Sequence, residues 1–352
     1  MLPHLRTNSS ESGRTGPELR VVAIGGGTGL STLLKGLKRY VMTPALATAG
    51  QPTIRELCGV VTVSDNGGSS GRLRNEFNML PPGDVRNCIV ALSEDEALLS
   101  RLFQHRFQKG SGLEGHSFGN LFLAALTSIT GDFAEAVRLS SEILLTRGRI
   151  YPATTTSVEL EALFDDGRRV RGETQITASK GKIQELFLIP ADVNPLPQTL
   201  EAIANADLIT IGPGSLFTSL IPNLLVGGIA EAILESAAIK VFICNLMTQA
   251  NESLGLTAGD HIRALNQHAG VQLFDYALIN RKGAAEAMKA KYALEGASQI
   301  VVDLEAIEAL SVCPVMGDYL DEGEVARHAT DRIAHDLMAL MAQSPERQIV
   351  RK

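Results

Sequence analysis

The run Gly25-Gly26-Gly27-Thr28-Gly29 follows directly on the apolar stretch Val21-Val22-Ala23-Ile24. A run of apolar, β-branched residues bounded by glycine predicts a buried strand, and Leu30, Leu33, Leu34 and Leu37 recur at the spacing of one helix face. Strand, glycine turn and helix N-terminus together present backbone N–H groups and the positive end of a helix dipole to an anion, typically a phosphate. A tight turn needed only for packing would call for one or two glycines, whereas here four fall in five positions. The nucleotide fingerprint Gly-x-Gly-x-x-Gly is not met, because its third glycine would fall on Leu30. Nor does an acid close the second strand about twenty residues on, since Asp65 lies roughly forty away. These two departures argue against hydride transfer.

Alternation of strand and helix organises the rest. A second strand, Leu57 to Val63, runs into Ser64-Asp65-Asn66, and three helical stretches follow. The clearest places Phe118, Leu121, Phe122, Ala125 and Ile129 on one face, and Gly131 separates it from a helix around Glu135 to Leu145. From 149 to 190 the segments become short and strand-like (Ser157–Phe164, Arg169–Ile176, Ile183–Ile189), with Asp166-Gly167 as a hairpin turn, and predict a small antiparallel insertion. Strands at Asp207–Ile211, Lys240–Asn245 and Leu273–Ile279 then alternate with helices at Pro222–Glu235, Gly259–His268 and Gly283–Tyr292. A last helix carries Val325, Ala329, Ile333, Leu337 and Met341. The expected fold is α/β, a doubly wound, mostly parallel Rossmann-like sheet in one domain over 19–342 with the β insertion. Ligands in such a fold bind at the carboxyl ends of the strands. Residues 1–18 and 343–352 are expected to be disordered extensions.

Bulk properties narrow the function. The net charge is −7 and no run of lysines and arginines exceeds two, which argues against a nucleic-acid surface. No segment approaches 18 consecutive apolar residues, and the N-terminus lacks the apolar stretch of a signal peptide, so a cytoplasmic protein without a membrane span is expected. Cys58, Cys88, Cys244 and Cys313 stand far apart and read as small buried residues, not as a disulfide or zinc framework. No nucleophile elbow, metal-ligand triad or Cys/His pairing appears.

Besides the opening loop, four segments combine glycine with small polar residues. In Ser64–Arg74, Asp65 stands at a strand end ahead of Asn66, Ser69, Ser70 and two arginines. It could bind a ribose hydroxyl or Mg²⁺, or serve as a general base. In Pro81–Asn87, Asp84 fits a helix N-cap, and a ligand role for Asp84 and Asn87 stays open beside it. In Gly115–Asn120, Ser117 can cap the helix and a lone His116 is most often structural. Gly119 and Asn120 in a first turn disfavour helix, which suggests close approach of a ligand. Gly212-Pro213-Gly214-Ser215 through Ser219 repeats the strand–glycine–helix arrangement of an anion site.

Together, IGGGTGLSTLLKGLK, VTVSDNGGSSGRLR, PPGDVRNCIVAL, GHSFGNLFLAAL, IGPGSLFTSLIPNLL and CNLMTQANES resemble the YvcK family, also called gluconeogenesis factor, within the CofD-like superfamily. The resemblance covers about residues 20 to 335, and the six motifs stand in the family's order. It implies a nucleotide-binding protein whose ligand is a uridine diphosphate sugar such as UDP-N-acetylglucosamine, with GDP or NAD as further nucleotide candidates and no cofactor firmly implied. It also implies a regulatory role in cell shape and envelope growth on gluconeogenic carbon sources, exercised through an unidentified protein partner, with a homo-oligomer compatible. The alternative it carries is a Mg²⁺-dependent transferase acting on a nucleoside-diphosphate-activated substrate, as in 2-phospho-L-lactate transferase, with Asp65 central. On the nucleotide-sugar reading Gly26, Gly27, Thr28 and Gly29 hold one phosphate, and Gly214, Ser215 and Ser219 contact another phosphate or the sugar. Asp65, Asn66, Ser69 and Asn120 line the crevice, while Asn245, Thr248 and Gln249 close it. Tyr276 would stack on the base or pack in the core, and Arg327 would meet the diphosphate or stand at a solvated helix end.

Overall fold

The computed structural model describes residues 16–42, 51–94 and 98–343. The chain opens with β1 (Glu18–Gly25), α1 (Gly27–Leu37) and β2 (Thr53–Val61). Five helices follow: α2 (Gly68–Phe77), α3 (Gly83–Leu92), α4 (Leu98–Gln104), α5 (Phe118–Thr130) and α6 (Phe133–Ile143). Next come β3 (Arg149–Pro152), β4 (Glu159–Phe164), β5 (Arg169–Arg171), α7 (Glu173–Ala178), β6 (Ile183–Ile189), α8 (Pro197–Asn205) and β7 (Leu208–Ile211). A π-turn at Leu216–Leu220 leads to α9 (Ile221–Leu224), α10 (Ile229–Glu235), β8 (Ile239–Ile243), α11 (Ala258–Ala269), β9 (Tyr276–Asn280) and α12 (Glu286–Ala293). The chain closes with α13 (Leu304–Ala309), β10 (Cys313–Gly317), the hairpin β11 (Leu320–Glu322) and β12 (Ala326–His328), and α14 (Thr330–Gln343).

Seven strands form one parallel sheet in the order β10-β9-β8-β7-β1-β2-β3. The chain winds outward from β1 through β2 to β3, then returns to the other side of β1 at β7 and winds outward to β10. The reversal lies between β1 and β7, where a doubly wound sheet opens a crevice at its carboxyl edge. Both strands are fully buried along Val21–Ile24 and Leu208–Ile211, as a sheet covered on both faces requires. Register pairs Ile24 with Ile211, so the glycine turns at 25–29 and 212–215 leave the sheet side by side.

Several sequence expectations need correction. Five helices, not three, separate β2 from β3. β3 pairs with β2 and belongs to the main sheet, so the insertion is the antiparallel sheet β5-β4-β6 and starts after Pro152. Arg169–Ile176 is not one strand, because it breaks at Gly172 (φ +91°) and continues as α7. The stretch 222–235 is two helices divided at Gly228 (φ +82°). Val325 lies in the β11–β12 turn and is exposed, while Ile333, Leu337 and Met341 are buried as expected. Glu18 opens β1, the Pro17 carbonyl accepts from Thr53 N–H at 3.0 Å, and Gln343 ends α14; residues 1–15 and 344–352, also expected to be disordered, lie outside the described residues. Cys313 is exposed, unlike the other three cysteines.

Among the described residues no single helix is long and apolar enough to cross a membrane. The bent pair Leu216–Leu224 and Ile229–Glu235 reaches that length and composition only together, and its apolar residues are largely buried in the core.

Candidate functional site

The two glycine turns at the switch point form one wall each of a cleft of about 490 Å³. Gly26 to Gly29 line one side and Pro213, Gly214, Ser215 and Ser219 the other. Asn245, Thr248, Gln249, Glu252, Tyr292, Ala326 and His328 complete it. Among the described residues no lysine or arginine lines this cleft.

Four of the glycines have a steric or conformational reason. In the first turn only Gly27 has a positive φ, +61°, and a Cβ there would be in open space apart from Ser219 Oγ at 3.8 Å. A Cβ on Gly29 would lie 2.2 Å from the Pro213 carbonyl oxygen, and one on Gly26 2.6 Å from Thr62 Cγ2. Thus part of the run is required by close packing of the two turns, not by a ligand alone. Gly212, at φ +90°, turns the chain where a Cβ would meet the Ile243 carbonyl oxygen at 2.7 Å.

Two of the backbone N–H groups expected to meet phosphate already have side-chain partners. Gly27 N–H donates to Asp84 Oδ2 at 2.7 Å. Gly214 N–H donates to Asn245 Oδ1 at 3.1 Å, and Asn245 Nδ2 returns a bond to the Gly214 carbonyl at 2.7 Å. Asn245 therefore braces the second turn. Asp84 is not the N-cap of α3, which is Pro82; it sits in the first turn and reaches across to the glycine loop. Burial pushes the Asp84 carboxyl up to about 6, with the Gly27 N–H pulling it down and nearby Asp65 adding to the rise.

Glu252, absent from the sequence reading, is a second buried carboxyl in the cleft wall. Its Oε1 accepts from the Thr218 hydroxyl at 3.2 Å, and Oε2 has no partner among the described residues. Desolvation pushes it up to about 7, against the pull of the Thr218 hydroxyl and the Phe217 N–H. Gln249 Nε2 donates to Ser215 Oγ at 2.8 Å, while its Oε1 is buried without a partner. Thr248 bridges to Ser298 through its hydroxyl, so it holds the wall. His328 lines the cleft from β12 with its ring Nε2 3.0 Å from the Cys244 carbonyl, and burial lowers it to about 4.

A second polar cluster stands beyond Asp84. Asp65 Oδ1 accepts from Gly67 N–H at 2.8 Å. Asn66 fastens the insertion: its N–H donates to Glu173 Oε2 at 3.1 Å, and its Oδ1 accepts from the Thr174 N–H and hydroxyl at 3.0 and 2.8 Å. Burial raises the Glu173 carboxyl, and the adjacent Asp65 carboxylate raises it further. Through α7 the insertion also brings Thr177 to the cleft, where its carbonyl accepts from Asn251 Nδ2 at 3.0 Å. Ser69 Oγ lies 2.9 Å from His116 Nδ1 and accepts from Asn120 Nδ2 at 3.1 Å. Ser70 packs under Gly83, where a Cβ would lie 2.4 Å from its Oγ. Ser117 caps α5 by accepting from Asn120 N–H at 3.2 Å, and Asn87 accepts from Arg86 Nη2 at 2.6 Å. Apart from Thr177, none of these residues lines the glycine cleft; Asp84 links the two groups.

Four expectations fail here. Gly119 is explained by packing, since a Cβ would meet the Phe103 carbonyl oxygen and Arg86 Cδ, both at 2.7 Å. The expected core face of α5 is only half covered, by Phe103 against Phe118 and Phe122, while Ile129 is 79% exposed. Tyr276 opens β9 at the amino end of the strand, opposite the cleft, and the aromatic residue in the cleft wall is Tyr292. Arg327 is exposed. Its neighbours Ala326 and His328 face the cleft, and strand alternation turns Arg327 to the hairpin's other side.

A larger concavity of about 920 Å³ runs along α6 and β3 at the sheet edge. Arg138 there already pairs with Glu135, and Arg149 with Glu56, so its charges are satisfied.

Comparison with known proteins agrees with this arrangement. Residues 21–320 match the family model described as 2-phospho-L-lactate transferase CofD. A protein of Halalkalibacterium halodurans named gluconeogenesis factor is 49% identical over 320 residues, 90% of this chain and 95% of that protein. The gluconeogenesis factor of Bacillus subtilis is 45% identical over 329 residues, covering 93% of this chain and all of that one (100%). A crystal structure of a Bacillus halodurans protein superposes with a TM-score of 0.86 at 47% identity, covering 91% of this chain and 99% of that chain. The chain belongs to the CofD family, among its members named gluconeogenesis factor.

Proposed function

We propose that the chain binds a nucleoside diphosphate sugar of the UDP-N-acetylglucosamine type and acts as a regulator, in cell-shape control and envelope growth under gluconeogenic conditions, without turning the ligand over. The observation that carries the binding reading is the pair of strand–glycine–helix turns facing each other across the cleft at the switch point. Thr28, Ser215 and Ser219 supply hydroxyls on the two walls, and Tyr292 supplies an apolar surface for a base. The relatives' names favour the gluconeogenic context. A cytoplasmic location fits a soluble metabolite as ligand.

The second reading is a transferase acting on a nucleoside-diphosphate-activated substrate. The family model's description and the Asp65–Glu173 carboxyl pair favour it. Mg²⁺ would then meet Asp65. Titration calorimetry with UDP-N-acetylglucosamine, GDP and NAD⁺ separates the readings. Binding of the uridine ligand without turnover supports the first. Preference for GDP, with turnover abolished by Asp65→Asn while binding persists, supports the second.

A further inference from the structure

We propose a second anion-binding site, apart from the glycine cleft, where Arg72, Arg86 and Arg106 converge on the Glu114–Ser117 loop, and that takes the phosphate group of a second small molecule.

Three arginines from distant parts of the chain meet there. Arg72, on α2, donates through Nη2 to the Glu114 carbonyl at 2.7 Å, and its guanidinium lies so close over Gly115 that a Cβ would stand 3.0 Å away. Arg106 donates to the Gly115 carbonyl. Arg86, on α3, donates through Nη1 to Ser117 Oγ at 2.5 Å and through Nη2 to Asn87. All three therefore bond only to neutral oxygens, and none forms a salt bridge among the described residues.

Arg86 is the informative member. It is 8% exposed and its Nε has no partner; the neighbouring Asn120 Oδ1 is also buried and unpartnered. A buried guanidinium without a counter-charge is costly, so a chain that keeps one in place gains by supplying an anion to it. The surrounding groups have the same sign. Burial and Arg106 both disfavour the charge on Arg86, with Asp84 opposing them, and burial first, then Arg72 and Arg106, disfavour a proton on His116, with Glu76 opposing them. Glu76 and Glu114 are the exposed acids at hand, and neither pairs with these arginines. In a chain of net charge −7 such a cluster is not a by-product of composition.

Forked guanidinium donors match the oxygens of a phosphate monoester, and the buried Ser69–His116 pair adds hydroxyl and imidazole groups beside them. Asp84 and Arg86 stand on one turn of α3: the first bonds the glycine loop, the second the Ser117 loop. A second ligand would thus sit one helix turn from the first. This inference does not depend on which nucleotide occupies the cleft.

The test is titration calorimetry with inorganic phosphate on the full chain. Arg72 and Arg106 are exposed, so the double variant Arg72→Ala/Arg106→Ala should fold, with an unchanged melting temperature as the check. The wild type is expected to bind phosphate in the millimolar range or tighter, and the double variant about tenfold or more weakly. Absence of phosphate binding, or binding unaffected by the double variant, would each overturn the proposal. Arg72 and Arg106 lie outside the glycine cleft, so the difference between the two proteins reads this site alone.

Discussion

Asp84 Oδ2 lies 2.7 Å from the backbone nitrogen of Gly27, so the loop built to receive an anion carries one from its own chain. Asp84 does not line the cleft but bonds its Gly27 wall, so its charge acts on a diphosphate there from behind the loop. Its burial-raised value of about 6 means that the group is neutral below that pH and charged above it. Nucleotide affinity is therefore expected to fall as pH rises through about 6, by up to about tenfold. Asp84→Asn keeps an oxygen for Gly27 N–H and should remove this slope. Calorimetric titrations on either side of pH 6 measure both.

Glu252 predicts a stability effect with a definite sign. Its carboxyl is raised from 4.5 to about 7, so the folded state holds the proton more tightly than the unfolded one. This contribution to stability is present in full below 4.5 and is lost as pH rises through about 7. Glu252→Gln should gain on the wild type by up to about 3.5 kcal/mol between pH of about 4 and about 8, from roughly 1.4 kcal/mol per unit. Denaturant melts of both proteins across that range provide the measurement.

Gly29 and Gly25 should respond in opposite ways to alanine. In a helix interior Gly→Ala ordinarily stabilises by up to about 1 kcal/mol. At Gly29 the new Cβ would stand 2.2 Å from the backbone oxygen of Pro213, which cannot swing aside as a side chain would. Gly29→Ala should cost about 1–3 kcal/mol or more and spread the two turns. At Gly25 the nearest atoms are at 3.5 Å, and Gly25→Ala should be tolerated. Thermal melts compare the two.

Tyr292 and Tyr276 separate the cleft from its opposite edge. Tyr292 lines the cleft and its hydroxyl accepts from Ala326 N–H at 3.2 Å, which ties it to the β11–β12 hairpin. Tyr292→Ala should weaken nucleotide binding about tenfold, in keeping with the loss of one aromatic contact. Tyr276→Phe, at the amino end of β9, should leave it unchanged.

What the sequence reveals of this protein is mostly local. The turn after β1 is readable because strand, glycines and helix follow one another within seventeen residues, and the same holds for Gly212 to Ser219. Long-range choices are not readable in this way. Gly68-Ser69-Ser70-Gly71 has poor helix propensity, yet it forms the start of α2, with Gly71 packed so closely that a Cβ would stand 2.1 Å from the Asn66 carbonyl oxygen. Thr174, Ile176 and Thr177 favour a strand, but bonds from Asn66 to Glu173 and Thr174 fix the N-terminus of α7. β10 contains Pro314 and ends on Gly317, and an edge position alone makes a strand of such a segment. Arg72, Arg86 and Arg106 stand at least fourteen positions apart, and only the fold gathers them.

The most direct test of the cleft is a crystal structure of the full chain grown with UDP-N-acetylglucosamine. Density for the diphosphate between Gly26–Gly29 and Gly214–Ser219, with the base toward Tyr292, is the predicted result. A ligand bound elsewhere, or a cleft left empty at a ligand concentration that saturates the protein in solution, would contradict it.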